Sequence, residues 1–272
     1  MWPSQNGKKK KVKTLNRLIQ YIYYLSRSFH LHGVHSPFVF KLQQDIIKGK
    51  YAYYCFDDIE SIRAKLLLTQ KTIAVEDLGA AGKRNKLIEK RISQIAKNSL
   101  KSPKEAQLLF RLAYHFKPKT ILELGTSLGI TTAYLAKSSP EAKVISIEGS
   151  ATISKIAALN HSKLNIDNIK LMVGDIQAKL EIAIRDLGTL DMVFFDGNHK
   201  MKPTLSYFEI CLKAAHEDSV FIFDDIYWSK GMHKAWKEIK AHPRVKLSID
   251  LFSMGIVFFK KDQAKEHFTI YH

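Results

Sequence analysis

The sequence predicts an α/β protein with a seven-stranded, mostly parallel sheet, a C-terminal antiparallel hairpin and a mostly helical N-terminal extension. Three observations carry this. In TILELGTSLGITTAYLA (residues 120–136), a short apolar run is followed by an acid, two glycines four apart and helix-compatible residues. From there to His242, β-branched runs and helical stretches alternate, which implies right-handed crossovers between parallel strands. Finally, residues 246–251 and 255–259 flank a short turn, Phe252-Ser253-Met254, and read as a hairpin on the sheet edge.

Residues 1–13 are polar, carry four consecutive lysines (Lys8 to Lys11) and have no periodicity, so a disordered basic arm is expected. Thr14 is placed to cap a helix with Leu15, Leu18, Ile19, Ile22 and Leu25 at helical spacing. Asn16, Arg17 and Gln20 interrupt its apolar character and no small-residue cleavage site follows, which argues against a signal peptide. Such a helix behind a basic arm either packs on its own domain, the commoner outcome, or lies on a membrane surface.

His30, His32 and His35 have no standard zinc spacing, and Gly33 and Pro37 make their segment a turn. His35 or Ser36 either reaches an active site or is structural. Tyr51, Tyr53, Tyr54 and Phe56 line a substrate mouth or staple the extension to the core. Residues 58–70 read as helix and 72–78 as a short strand. Residues 80–86, with Gly79 and Gly82, read as a loop turning into a basic helix. Ser102-Pro103 with Glu105 starts another helix, apolar at Ala106, Leu109, Phe110 and Ala113, and Pro118 ends it. The expected division is therefore an arm (1–13), an extension (14–100) and an α/β domain (101–272).

The length of 272 residues and 46% hydrophobic content suffice for a large core. Cys55 and Cys211 stand alone, which suggests neither a zinc site nor a disulfide framework. No apolar run reaches the roughly 18–20 residues of a membrane span, and a cytoplasmic protein is expected. The net charge of +17 is lopsided: residues 1–120 hold 24 Lys/Arg against 8 Asp/Glu, while residues 121–272 hold 19 against 18. That asymmetry marks either a solvated face or contact with nucleic acid, anionic lipid or an acidic partner.

The glycine spacing at Gly125 and Gly129 is neither the G-x-G-x-x-G of dinucleotide sites nor a P-loop. As Glu-x-Gly-x-x-x-Gly it resembles the first motif of class I S-adenosylmethionine-dependent methyltransferases, which implies their Rossmann-like fold. On that resemblance Glu123, Gly125, Thr126, Ser127 and Gly129 hold the amino-acid end of S-adenosylmethionine. Glu148, with Gly149, takes the ribose hydroxyls, and Asp175, with Ile176, the adenine. Independently, ligands in open α/β sheets sit at the carboxyl ends of strands. An acid stands at each of five such ends: Glu123, Glu148, Asp175, Asp196 and Asp224-Asp225.

The contexts FFDGNHK and FIFDDIYW resemble the catechol and caffeoyl-coenzyme A type of small-molecule O-methyltransferase. The resemblance implies that Asp196, Asp224 and Asp225 bind one divalent cation, and a carboxylate set suits Mg2+ or Ca2+. Asp225 departs from the asparagine usual there. His199 stands where that type has a lysine, and with Asp196 it is the candidate catalytic pair. The stretch Asp196-Gly197-Asn198-His199 equally resembles a broader methyltransferase group in which metal dependence is not assured. Tyr227, Trp228 and Lys230 then form a wall or lid. The implied reaction is methyl transfer to an oxygen of a small acceptor, with oligomeric state open, a homodimer included. One rival is an RNA methyltransferase using the basic region. The motif Asn/Asp-Pro-Pro-Tyr/Phe and a Pro-Cys nucleophile are both absent, which leaves ribose or phosphate-backbone targets. The other rival is a non-catalytic S-adenosylmethionine-binding scaffold.

Overall fold

The computed structural model describes residues 18–28, 35–77, 86–261 and 264–272. The expected arm, the Thr14 cap, His30, His32, Gly33, Gly79 and Gly82 lie outside these residues.

Five short helical segments make up most of the described extension. Residues 18–27 form α1, and Pro37–Leu42 forms α2, which runs into a π-helical turn at Gln43–Ile47. Phe56–Leu68 is α3 and Ile92–Ser99 is α4. Between the last two, Thr72–Asp77 (β1) and Lys86–Arg91 (β2) pair antiparallel in a separate two-stranded sheet. The basic helix expected after residue 86 therefore begins only at Ile92. Pairing against β1 overrides the helix propensity of a Lys- and Glu-rich stretch, as cross-strand contacts commonly do.

Helix α5 (Pro103–Phe116) starts as expected. The Ser102 hydroxyl accepts from the Glu105 backbone N–H (3.3 Å), and the Glu105 carboxylate accepts from the Ser102 N–H (3.2 Å). This reciprocal cap satisfies two orphan donors. Strands and helices then alternate: β3 (Thr120–Leu124), α6 (Ile130–Ser138), β4 (Lys143–Glu148), α7 (Ala151–Lys163) and β5 (Ile169–Val173). Next come α8 (Ile176–Leu187), β6 (Leu190–Phe195), α9 (Met201–Leu212), β7 (Ala215–Asp224) and α10 (Lys230–Ala241). The hairpin is β8 (Leu247–Asp250) and β9 (Met254–Phe258).

The main sheet has the order β10-β8-β9-β7-β6-β3-β4-β5. The five strands from β7 to the edge strand β5 are parallel, and β9 runs antiparallel to β7 and β8. The seven expected strands are joined by an eighth, β10 (Glu266–Thr269), parallel to β8; its four residues are too short and too polar to stand out in the sequence. Successive residues of the central strands bury on opposite faces. Ile121, Val144, Phe194 and Ile222 face one core with α2 and α5, while Leu122, Ile145, Val193 and Phe221 face the other with α8, α9 and α10. Chain order reverses between β3 and β6, which puts a crevice for ligands at their carboxyl ends.

Candidate active site

The turn after β3 is fixed by main-chain bonds. Gly125 and Thr126 donate to the Ile147 carbonyl (3.0 and 3.2 Å), and Gly129 donates to Thr126 (3.0 Å). Gly125 has φ +106°, and a Cβ there would lie 2.6 Å from the Asp196 carbonyl oxygen, so the ends of β3 and β6 can approach only over a glycine. Gly129 has φ +80°, and a Cβ there would strike the His161 ring at 2.5 Å and Ala157 at 2.9 Å, both on α7. His161 Nε2 in turn bonds the Gly129 carbonyl at 2.8 Å. Both glycines are thus demanded by the protein's own close packing.

Beneath this loop Glu123 is fully buried. Its Oε2 accepts from Ser146 (2.6 Å) and from Thr132, and Ser146 pairs with Thr126 at 2.6 Å. Its Oε1 has no hydrogen-bond partner among the described residues. Burial pushes this carboxyl up to about 7, against the two hydroxyls that favour its charge. Glu148, at the tip of β4, accepts from the backbone N–H of Ser127 (2.8 Å) and of Ser150 (2.9 Å). Burial raises its carboxyl, and the N–H groups of Ser150, Ser127 and Gly149 oppose that. Three N–H donors leave about one of the four Glu148 carboxylate lone pairs for a ligand hydroxyl. Asp175 caps α8 through the Gln177 N–H (2.9 Å) and is exposed, and the Ile176 side chain packs beside Gly197. A cradle with one orphaned carboxylate oxygen and a second acid at the neighbouring strand tip fits the amino-acid and ribose ends of a nucleoside cofactor.

At the ends of β6 and β7 the structure brings together Asp196, His199 and Asp224, whose ligand atoms lie within 4.8 Å of one another. His199 Nε2 is 3.6 Å from Asp196 Oδ1. Asp225, which the sequence added as a cation ligand, is not in this group. Its backbone turns left-handed, φ +51°, as the strand ends and the chain turns away. Into the same group comes a residue the sequence reading passed over. The Lys101 ammonium ion-pairs with Asp224, and the two side chains are only 11% and 1% exposed. Burial pulls the basicity of Lys101 down, but Asp224, then Asp196 and Asp225, outweigh it and hold the ammonium above the ordinary lysine range. Asp196 is held well above the usual carboxylate range by burial and by the adjoining Asp224 carboxyl, with Lys101 opposing. An ammonium seated on Asp224 is incompatible with a divalent cation at that oxygen, so the side chains as arranged do not fit Mg2+ or Ca2+.

Other expectations resolve at this end of the sheet. Tyr227 is buried and donates to Asp250 (2.8 Å), which Trp236 also reaches (3.1 Å), so Tyr227 braces the hairpin and forms no lid. Trp228 stays 45% exposed. Tyr53 and Phe56 pack on Phe110, which makes them the staple between extension and α5. Tyr51 and Tyr54 remain exposed. His35 is exposed and Ser36 buried at the start of α2.

A reversed-order parallel sheet, a glycine-bent turn after its first strand and an acid at the tip of the next define the class I methyltransferase fold. Residues 122–226 match a protein family described as a methyltransferase domain, and the sheet that carries them has the fold of class I S-adenosylmethionine-dependent methyltransferases. A tRNA (guanine-N(7)-)-methyltransferase of Mycoplasma mobile is 32% identical over 33% of this chain and 44% of its own length. A catechol O-methyltransferase of Mycobacterium tuberculosis is 23% identical over 48% of this chain and 59% of its own. The chain thus spans about half the length of these relatives. Among solved structures, an O-methyltransferase from Bacillus cereus in complex with SAH superposes with TM-score 0.54 at 20% identity, covering 79% of this chain and 96% of that one. An SAH-bound methyltransferase of Podospora anserina gives 0.57 at 14% identity, covering 84% and 97%.

Proposed function

We propose that the protein transfers a methyl group from S-adenosylmethionine to an oxygen of a small-molecule acceptor. The observation that carries this reading is the convergence of an Asp196–His199 couple and a cofactor cradle on one switch-point crevice. S-adenosylmethionine, when bound, supplies an electrophilic methyl group on a sulfonium. Glu123, Thr126 and Ser127 would hold its amino-acid end and Glu148 its ribose, with Asp175 and Ile176 beside the adenine. His199, oriented by Asp196, would take the acceptor's hydroxyl proton. The freed oxygen pair forms the bond to the methyl carbon while the carbon–sulfur bond breaks, its electrons staying on sulfur. Two buried free thiols, Cys55 and Cys211, support a reducing, cytoplasmic setting.

Calorimetric titration with S-adenosylmethionine tests the reading. The native chain should bind, and Glu148→Ala should bind more weakly by about 1–3 kcal/mol, the worth of lost charged hydrogen bonds. Equal affinities for the two would refute the ribose assignment, and no binding by the native chain would leave the scaffold and enzyme readings both without a cofactor.

A second reading, an RNA acceptor, is favoured by the identity to a tRNA methyltransferase and by the basic first 120 residues. A cavity of about 640 Å3 between the extension and α5, lined by Lys48, Lys50, Lys104 and Arg111, adds to it. Under that reading, affinity for an RNA oligomer falls steeply with added salt.

A further inference from the structure

The acid cluster at the ends of β6 and β7 comes with its own counter-ion. We propose that the Lys101 ammonium occupies the position a divalent cation would otherwise take, neutralising Asp224 and Asp196 and donating a remaining N–H to the acceptor oxygen. The second half of this proposal rests on the methyltransferase reading; the first does not.

Three observations support it. The side chain is nearly sequestered, at 11% exposure, and ends on a carboxylate that is itself 1% exposed. A long flexible lysine loses considerable rotamer freedom in such a position, so a mere surface stem would not stay there. The cluster also holds more acid than it can leave uncompensated: the buried Asp224 and the half-buried Asp196 have ligand atoms within 4.8 Å of each other and of the His199 imidazole, and Lys101 is paired with Asp224. Last, the backbone that presents Lys101 is clamped. Lys101 and Ser102 form a two-residue non-helical link between Leu100 and α5. Ser102 locks its downstream end through the Glu105 cap. Upstream, the buried Arg63 of α3 donates to the Lys101 carbonyl. Arg63 is held in turn by Glu60 (2.8 Å), and Glu60 accepts from Tyr134 of α6 (2.7 Å). The extension thus delivers one ammonium to the domain's acids through a chain of directed bonds that also touches the cofactor-side helix.

An ammonium and a divalent cation exclude each other at one carboxylate pair, since each repels the other once seated. A lysine differs in function from a metal there. It has three donors and no Lewis acidity, so it orients the acceptor and stabilises a developing oxyanion by hydrogen bonding alone.

The experiment is titration of the full chain with MgCl2 and with CaCl2, in parallel with S-adenosylmethionine, for the native protein, Lys101→Ala and Asp224→Asn. The expected result is no cation binding by the native chain. Lys101→Ala should gain Mg2+ or Ca2+ affinity by about tenfold or more, a change of about 1.4 kcal/mol per factor of ten. Asp224→Asn on that background should abolish the gain. Should Lys101→Ala not fold, Lys101→Gln keeps the polar head and carries the same comparison. Cation binding by the native chain that Asp224→Asn removes would overturn the proposal. So would a folded Lys101→Ala protein that binds neither ion, because the position would then be no cation seat. Failure of S-adenosylmethionine to bind any of the three overturns the methyltransferase reading and leaves the cation result standing.

Discussion

Glu123 lies on a fully buried strand with a carboxyl pushed up to about 7 by that burial. The sign of its effect on stability follows directly. From the ordinary value of 4.5 up to about 7 the unfolded chain has released this proton while the folded chain still holds it. The fold therefore loses stability as pH rises through that window, by up to about 3 kcal/mol once both states are ionised. Below it the group contributes nothing pH-dependent. Glu123→Gln, which cannot ionise, should gain on the native chain between pH 5 and pH 8 in urea midpoints, with the slope of the transition unchanged. Parallel pH dependence of the two proteins would show that Glu123 titrates normally. The same side chain shows what was legible at this scale. Glu123, Glu148, Asp196 and Asp224 could be read from the sequence because each ends a strand, and strand ends share one rim. Lys101 could not be: it follows no strand, belongs to no motif and reaches the rim only because α3 and the Ser102 cap hold its backbone in place.

The alternating elements from β3 to α10 were readable because apolar runs and helical stretches there are both strongly patterned. Between residues 72 and 99 that pattern is weak, and pairing of β2 with β1 decided the structure in place of helix propensity. The small hairpin has a local use, since the Glu76 carboxylate accepts from the Ala151 N–H at the start of α7 (3.1 Å). For the glycine turn the structure adds a packing requirement to the motif that made it legible. Gly129 is required by the contact of α6 with α7, so Gly129→Ala should destabilise through two separable causes. The left-handed backbone costs an alanine about 1–3 kcal/mol, and the His161 ring must also give way. Adding His161→Ala should relieve the ring clash and leave the backbone part together with the 2.9 Å approach of Ala157. Gly125→Ala has no such remedy, because its obstacle is the Asp196 main chain. Thermal melts of the single and double variants separate these causes. A Gly129→Ala protein as stable as the native one would remove the packing argument.

The extension and the α/β domain share their interiors. Val39, Leu42, Ile46 and Ile47 are buried in one cluster with Leu108 of α5 and with Ile121, Phe194 and Ile256 of the main sheet. Ile59, Ile62 and Leu66 of α3 are buried with Phe110 of α5 and Tyr134 of α6. Each such aliphatic side chain contributes about 1.5–3 kcal/mol by leaving water, so the seven from the extension together rival the whole net stability of a typical domain, about 5–15 kcal/mol. Neither part can then unfold without stripping the other. We expect one calorimetric transition for the full chain, with calorimetric and van't Hoff enthalpies in agreement. The fragment 101–272 alone should show no cooperative transition, because Leu108, Leu109 and Leu112 on α5 would lose the cover of α2. Two resolved transitions, or a cooperatively melting fragment, would mean that the boundary near residue 100 separates independent units. Coupling of this kind also bears on chemistry. If α3 and the domain melt together, the clamp on Lys101 persists as long as the fold does, and the acid cluster keeps its ammonium until the sheet itself is lost.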